Sequence, residues 1–320
     1  MSGADSQKRF DVTLVGESNI DLLLYGLPDD LPPERELLAD RMAMHLGGSP
    51  AITAHNLVAL GSRVGFVTAS AGDTFADLCL RDLTTAGVDL SRAIRKDDGL
   101  STGFTVLLQH SNFRRTLTYP GVTHSIRYCD LDLGYLRSAR HFHLSSYFLQ
   151  ENLRPDIPRL LAELKEAGLT ISFDPNDDPS GEWDSSIYEA LAYVDILLPN
   201  EREACRIARV PQLDIALHNL AAIVPTVVVK RGAQGAVALT NGKRYTAIAA
   251  PVTPVDAVGA GDSFNAGFLH AYLKGEPIDR CLAFGNLAGA FSTTQAGGIA
   301  AFCNADERSR FFANHAVEAR

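Results

Sequence analysis

Long apolar runs, closely spaced cysteines and basic blocks are all missing from this 320-residue chain. No apolar stretch approaches the roughly 18 residues of a membrane span, and Lys8-Arg9 is followed by no apolar segment of the kind a secretory leader carries. A cytoplasmic protein with no membrane partner is expected. Cys79, Cys129, Cys205, Cys281 and Cys303 are odd in number and far apart, with no C-x-x-C pair, which fits a reducing compartment. No run of basic residues exceeds Arg114-Arg115, and 29 Lys and Arg against 38 Asp and Glu leave a net charge of −9. Nucleic acid, which needs a basic face, is not an expected partner. A nucleotide held by a focused local field remains compatible with that sum.

What is present is a globular composition, 46% apolar and 21% charged, which excludes disorder. The length allows two units or one large α/β domain with an insertion. Strand-length apolar runs at Val12 to Val15, Val64 to Thr68, His141 to Leu144, Thr170 to Phe173, Ile196 to Leu198 and Thr226 to Val229 alternate with helix-period segments. That alternation predicts a parallel sheet covered by helices on both faces. Helices from Pro50 to Leu60 and Leu153 to Ala167 end at Gly61 and Gly168. Two stretches break the rhythm, 21–46 and 101–119, the second a hairpin pattern around Ser111-Asn112. Neither has enough apolar residues for its own core, so both are expected in a small β flap of a single domain spanning 1–320. The Ala/Gly-rich stretch Asn286 to Ala301 is expected as a closely packed helix and turn.

The sharpest local feature is Asp256-Ala257-Val258-Gly259-Ala260-Gly261-Asp262-Ser263, followed by helix-forming sequence. A Gly-rich turn entering a helix presents backbone N–H groups without intrahelical partners, and the helix dipole adds positive potential there. The result is an anion hole. Asp262 beside a bound phosphate is costly unless its carboxylate is used, for instance to take a proton from an attacking hydroxyl. On spacing alone, a first-turn acid that complements the dipole is an equal reading.

Five further elements occur in order with it: Val15-Gly16-Glu17-Ser18-Asn19-Ile20-Asp21, Gly47-Gly48-Ser49-Pro50-Ala51, Phe173-Asp174-Pro175-Asn176, Pro199-Asn200-Glu201-Arg202-Glu203, and Val228-Val229-Lys230-Arg231-Gly232-Ala233-Gln234-Gly235. In this series the chain resembles the PfkB carbohydrate kinases, the ribokinase-like family. The resemblance implies a doubly wound, mostly parallel α/β sheet with helices on both faces and a small β-flap lid, and ATP-dependent phosphorylation of a hydroxyl group. It makes Asp262 the general base and gives the transferring phosphoryl group to the amides of Gly259, Ala260 and Gly261. Asn200 and Glu203 would organise the nucleotide phosphates and Mg²⁺, which keeps several waters. Lys230 and Gly232 fall at the nucleotide strand end, Asn286 near the adenine, and a K⁺ site is implied near Asp256. On the acceptor side it implies Asp21 for sugar hydroxyls, Gly47 and Gly48 for close backbone approach, with Asn19 assisting and Arg115 at the lid's mouth. Without the resemblance, Lys230 and Arg115 read more simply as solvated strand residues, and Asn19 equally as a turn residue. The lid's edges imply a homodimer formed through 21–46 and 101–119.

Two departures bear on the acceptor. Ile52 stands where the family carries a substrate-binding Asn, and Asn56, one turn on, is a candidate replacement. Asp178 stands near a usual Arg, and an acid there disfavours an anionic acceptor. The expected acceptor is therefore a small neutral sugar or polyol. A nucleoside, with its base against Phe104, Phe113, Tyr119, Tyr147 or Phe148, is the alternative enzyme reading. A non-catalytic sugar-binding regulator is the third. His141 and His143, on one face of a strand, read as satisfied side chains at the edge of the core.

Overall fold

The computed structural model describes residues 8–97, 99–110 and 113–316. Eight strands form the main sheet, β1 (Phe10–Val15), β4 (Val64–Val67), β9 (Ala139–Ser145), β10 (Thr170–Asp174), β11 (Ile196–Leu197), β12 (Thr226–Lys230), β13 (Ala236–Thr240) and β14 (Lys243–Ala247), in the order β14-β13-β12-β11-β10-β9-β1-β4. From β4 to β12 the pairing is parallel. The last two strands turn back antiparallel. β13 and β14 go beyond the strands that the apolar runs predict, although Asn241-Gly242 carries the signal: both residues have positive φ, 49° and 73°, as a tight hairpin requires.

Four further strands, β2 (Asn19–Tyr25), β3 (Arg41–Gly47), β7 (Gly103–Gln109) and β8 (Arg114–Tyr119), form a separate sheet in the order β3-β2-β7-β8. It corresponds to the two expected flap stretches. The Ser111-Asn112 turn lies outside the described residues, but β7 and β8 pair antiparallel on either side of it. A two-stranded sheet, β5 (Ala69–Ser70) with β6 (Ile94–Arg95), completes the set.

The helices are α1 (Ser49–Ala59), α2 (Thr74–Ala86), α3 (Leu133–Leu136), α4 (Ile157–Glu166), α5 (Ile187–Leu191), α6 (Glu201–Ile207), α7 (Leu213–Ala221), α8 (Ala260–Leu273), α9 (Ile278–Ser292), α10 (Ala300–Cys303) and α11 (Ala305–Ala316). Alternate strand residues supply two cores, as a sheet covered on both faces demands. Phe142, Leu144, Ile171, Phe173, Val227 and Val229 pack with α4 to α7. Val12, Leu14, Phe66, Ile196 and Val228 pack with α1, α2, α8 and α9. α8 and α9 approach closely because Gly267 and Gly285 have no Cβ: one on Gly267 would lie 2.6 Å from the Cβ of Ala288, and one on Gly285 2.9 Å from the Phe264 ring.

The face under α8 carries a polar seam. The imidazole of His141 bonds Thr170 Oγ1 and Ser172 Oγ, each at 2.7 Å, and His143 Nδ1 meets the same Ser172 hydroxyl at 2.7 Å. Both histidines are fully buried and central, not at the edge of the core. Burial holds both near pKa 3, so they are neutral.

Candidate active site

Open α/β sheets bind ligands beyond the carboxyl ends of their strands. Those ends gather Glu17 after β1, Asp174 closing β10, Asn200 after β11 and Lys230 closing β12. The N-terminus of α8 meets them, since a Cβ on Gly261 would lie 3.5 Å from Lys230 Nζ. Gly259 caps that helix with φ 72°, and any Cβ there would overlap the backbone of Gly298, so glycine is required. Among the described residues, no backbone carbonyl takes the N–H of Gly259, Gly261 or Asp262. Ala260 differs from the expectation: its N–H already bonds the Ala257 carbonyl at 3.3 Å.

Asp262 sits in the first turn of α8. Ser49 Oγ donates to its Oδ1. Burial pushes its carboxyl up to about 6; the Ser49 bond opposes that rise, the charge of Asp174 adds to it, and Lys230 and Asn176 counteract it. Lys230 is not a free cation. Its ammonium pairs with the buried carboxylate of Asp174, which also accepts from Asn265 Nδ2 at 2.6 Å.

Asn200 caps α6 in a reciprocal box: its side chain accepts from Glu203 N at 2.9 Å, and Glu203 Oε2 accepts from Asn200 N at 2.8 Å. Burial and the nearby Asp174 raise the Glu203 pKa, opposed by Lys230. Among the described residues no group of three or more His, Cys, Asp and Glu side chains could hold a metal unaided. The residues still fit a hydrated Mg²⁺. Two buried carboxylates lie near one ammonium, Asp174 paired with Lys230 and Glu203 feeling its charge, and Mg²⁺ takes most of its ligands from water and phosphate.

On the small sheet, Asp21 is buried and its carboxyl accepts from Asn19 Nδ2 at 3.0 Å, while Asn19 also donates to Thr105 Oγ1 at 3.0 Å. Burial pushes Asp21 up to about 7, opposed by Asn19 and assisted by the charge of Asp262. Gly47 leaves room for that carboxylate, and Gly48, at φ 91°, for the Glu17 carbonyl. Glu17, to which the resemblance assigns no role, is part of the same cluster. It lies buried, accepting from Ser146 Oγ at 2.5 Å and Gln150 Nε2 at 2.9 Å, and burial raises it to about 7.

Several expected residues do not join this cluster. Arg115 pairs with Leu108 on the outer face of the small sheet, where its guanidinium bonds the Asp29 carbonyl at 3.2 Å and lies over Phe113. Its neighbour Arg114 has the opposite parity and acts electrostatically on Asp21. Asn286 spends its amide on the carbonyls of Ala247 and Ile248, at 2.9 and 3.0 Å, tying α9 to the end of β14. Gly232 has φ 55° in a short turn with open space around it. Asn56 is fully buried, donating to Ser263 Oγ at 2.9 Å and the Gly298 carbonyl at 3.0 Å, so it does not replace the missing Asn. Asp178 accepts from Ser180 and from the Trp183 N–H at 2.7 Å. It organises its own loop and gives no ground for excluding an anionic acceptor. The five aromatics form no single slot: Tyr147 and Phe148 are core, Phe104 and Tyr119 pair on the outer face of the small sheet, and Phe113 is exposed and stacks on His110.

A phosphotransferase of the doubly wound α/β class is what this fold and cluster resemble, and comparison with known proteins bears that out. The chain matches the pfkB family carbohydrate kinase model over residues 9–304 and belongs to that family. It is a kinase that uses an alcohol group as acceptor. It is 31% identical over 256 residues, 80% of this chain and 82% of the relative, to an ATP-dependent ribose-1-phosphate kinase of Halopiger xanaduensis. It is 29% identical over 292 residues, 90% of each chain, to a nucleoside kinase of Methanothermobacter thermautotrophicus. A provisional ribokinase II of E. coli, solved with ATP and Mg²⁺, superposes with a TM-score of 0.83 at 24% identity, covering 96% of this chain and all of that one, which establishes the ribokinase-like fold. Among the described residues, no helix is long and apolar enough to cross a membrane.

Proposed function

We propose that the chain transfers the γ-phosphoryl group of ATP to a hydroxyl of a small sugar, polyol or nucleoside, with Asp262 as general base. The observation that carries this reading is the position of Asp262: a carboxylate raised to about 6 in the first turn of α8, beside the unpaired amides of Gly259 and Gly261. As the acceptor oxygen attacks phosphorus, its proton passes to Asp262 and the bond to the ADP oxygen breaks. The free amides stabilise charge on the transferring group. Mg²⁺, when bound with the nucleotide, would be held near Glu203 and Asp174 and neutralise phosphate charge.

Asp21, Asn19, Gly47 and Gly48 form the acceptor subsite in this reading, and the small sheet is the lid of one catalytic domain. Gly232 and Asn286 belong to the nucleotide side, Asn286 by anchoring the end of β14 against α9. With Asp178 committed to its loop, the preference for a neutral acceptor rests on no residue. A phosphorylated sugar, the acceptor type in the Halopiger relative's name, therefore stands beside neutral sugars. The outer lid face exposes Met42 (62%), Leu117 (58%) and Tyr119 (49%), which supports pairing with a second copy through the lid. A sedimentation mass of one subunit at micromolar concentration would remove that pairing. Cytoplasmic location is part of the same reading.

The test is ATP consumption with Mg²⁺, with and without K⁺, across sugars, sugar phosphates, polyols and nucleosides, using the parent and Asp262→Asn. A stimulating acceptor and a loss of about 10²–10⁴-fold in kcat in the variant support the reading. Absence of any stimulating acceptor favours the sugar-binding regulator, and undiminished turnover in Asp262→Asn refutes the base assignment.

A further inference from the structure

Three side chains of α1 meet the first turn of α8 in series. Ser49 Oγ donates to the Asp262 carboxylate, Thr53 Oγ1 to the Asp262 carbonyl at 3.4 Å, and Asn56 Nδ2 to Ser263 Oγ at 2.9 Å. Positions 49, 53 and 56 fall at i, i+4 and i+7, one face of the helix. The contact is therefore a continuous polar stripe along a helix interface. Ser263 is itself held, its Oγ donating to the Gly259 carbonyl at 2.8 Å. The same stripe thus reaches the turn that exposes the free amides.

A carboxylate has about four lone-pair sites over two oxygens. With Oδ1 taken by Ser49, the carboxylate cannot rotate without losing that bond. Ser49 also follows directly on Gly47-Gly48, the turn packed against Asp21 and the Glu17 carbonyl. The Gly47-Gly48 turn and the residue bonded to the Asp262 carboxylate are consecutive in the chain. In phosphoryl transfer a small misplacement of the reacting groups costs orders of magnitude in rate, so a link this short has kinetic weight.

We propose that Ser49 is the positioning residue of the base, fixing the rotation of the Asp262 carboxylate so that Oδ2 faces the acceptor, with Thr53 and Asn56 holding the backbone turn beneath it. The proposal rests on Asp262 being the base. Its electrostatic corollary has a definite sign: the Ser49 bond favours the ionised carboxylate, so losing it moves the acid limb of the rate profile towards neutral pH.

The experiment compares Ser49→Ala, Ser49→Thr and Asp262→Asn by steady-state kinetics over pH, with thermal melts of each. Ser49→Ala is expected to lose about tenfold or more in kcat, with the KM values for ATP and acceptor nearly unchanged, and to shift the acid limb upwards. Ser49→Thr, which keeps the hydroxyl, is expected to restore most of the rate and the parent profile. An unchanged rate and profile in Ser49→Ala overturns the proposal. So does equal impairment in Ser49→Thr and Ser49→Ala, or a rate loss matched by a lowered melt with no shift of the limb, because each marks a packing role. If Asp262→Asn retains turnover, the base reading fails and the positioning role falls with it. If Asp262→Asn is inactive while Ser49→Ala is normal, only the positioning role fails.

Discussion

The Tyr25 hydroxyl, at the end of β2 in the small sheet, donates to Asp256 Oδ2 at 3.2 Å, in the segment that leads into the Gly259 to Gly261 turn. The same carboxylate accepts from the backbone N–H of Val258 at 3.0 Å and of Gly297 at 3.1 Å, and from Gln109 Nε2 at 3.4 Å. Two strands of the small sheet, β2 and β7, are thus fastened to the group that shapes the turn before Gly259.

Replacing Tyr25 by Phe removes the better of the two lid bonds while keeping the ring under the Arg41 guanidinium, 4.1 Å away. A hydrogen bond of this kind contributes about 1 kcal/mol, so the acceptor KM should rise roughly fivefold, with a smaller effect on ATP. Initial-rate measurements at saturating ATP check this. An unaltered acceptor KM would show that the contact does not hold the lid.

Glu17 ties stability to pH. Its pKa rises from 4.5 to about 7 on folding, so between those values the folded state binds the proton more tightly than the unfolded state. The contribution of Glu17 to stability falls as pH rises through that window and is lowest above it. The buried histidines His141 and His143, depressed to about 3, act with the opposite sign, so the difference between variant and parent is the informative quantity. Glu17→Gln should gain stability relative to the parent as pH rises from 5 to 8, by at most about 3 kcal/mol. The new amide can donate to Gln150 Oε1, which lacks a partner, once the Gln150 amide flips. Melts across pH decide it; a difference independent of pH would mean that Glu17 is ionised throughout.

Lys230→Met leaves Asp174 as an uncompensated buried charge. A loss of about 3–5 kcal/mol is expected, and Asp174→Asn added to it should recover most of that loss. Urea midpoints of the single and double variants measure the coupling. Additive losses would place the two groups in separate environments.

Gly47→Ala forces a methyl group into the Asp21 carboxylate. The acceptor KM should rise by about tenfold or more while ATP binding, measured by calorimetry, stays close to the parent.

How far the sequence could be read depended on how local the determinant was. Gly259, Asp262 and the box of Asn200 with Glu203 are short-range features, recognisable because a helix end must satisfy its own N–H groups. The strand alternation gave the parallel sheet for the same reason. Arg114, not Arg115, has the parity that faces Asp21, because the inward face of a strand is set by pairing register, which a short exposed strand with polar residues on both faces does not reveal. The surroundings of Asn56 and Asp178 are not legible in the sequence, because what occupies them, Ser263 and Gly298 for one and the Trp183 N–H for the other, is brought there by the fold. The role of Ser49 carries no local signal, since its partner lies 213 positions away.

The seam of His141, Ser172 and His143 has a consequence for assembly of the sheet. Parallel strands buried on both faces present nearly uniform apolar surfaces, and a displaced pairing of β9 with β10 would bury almost as much apolar area as the native one. The two imidazoles meet one hydroxyl only in the native alignment. A displacement by one residue would turn them towards the Phe142 side of the sheet, leaving several polar groups without partners at about 1–3 kcal/mol each. The seam therefore works as a key favouring a single alignment of the two strands, and in that alignment Asp174, four residues beyond Thr170, meets Lys230.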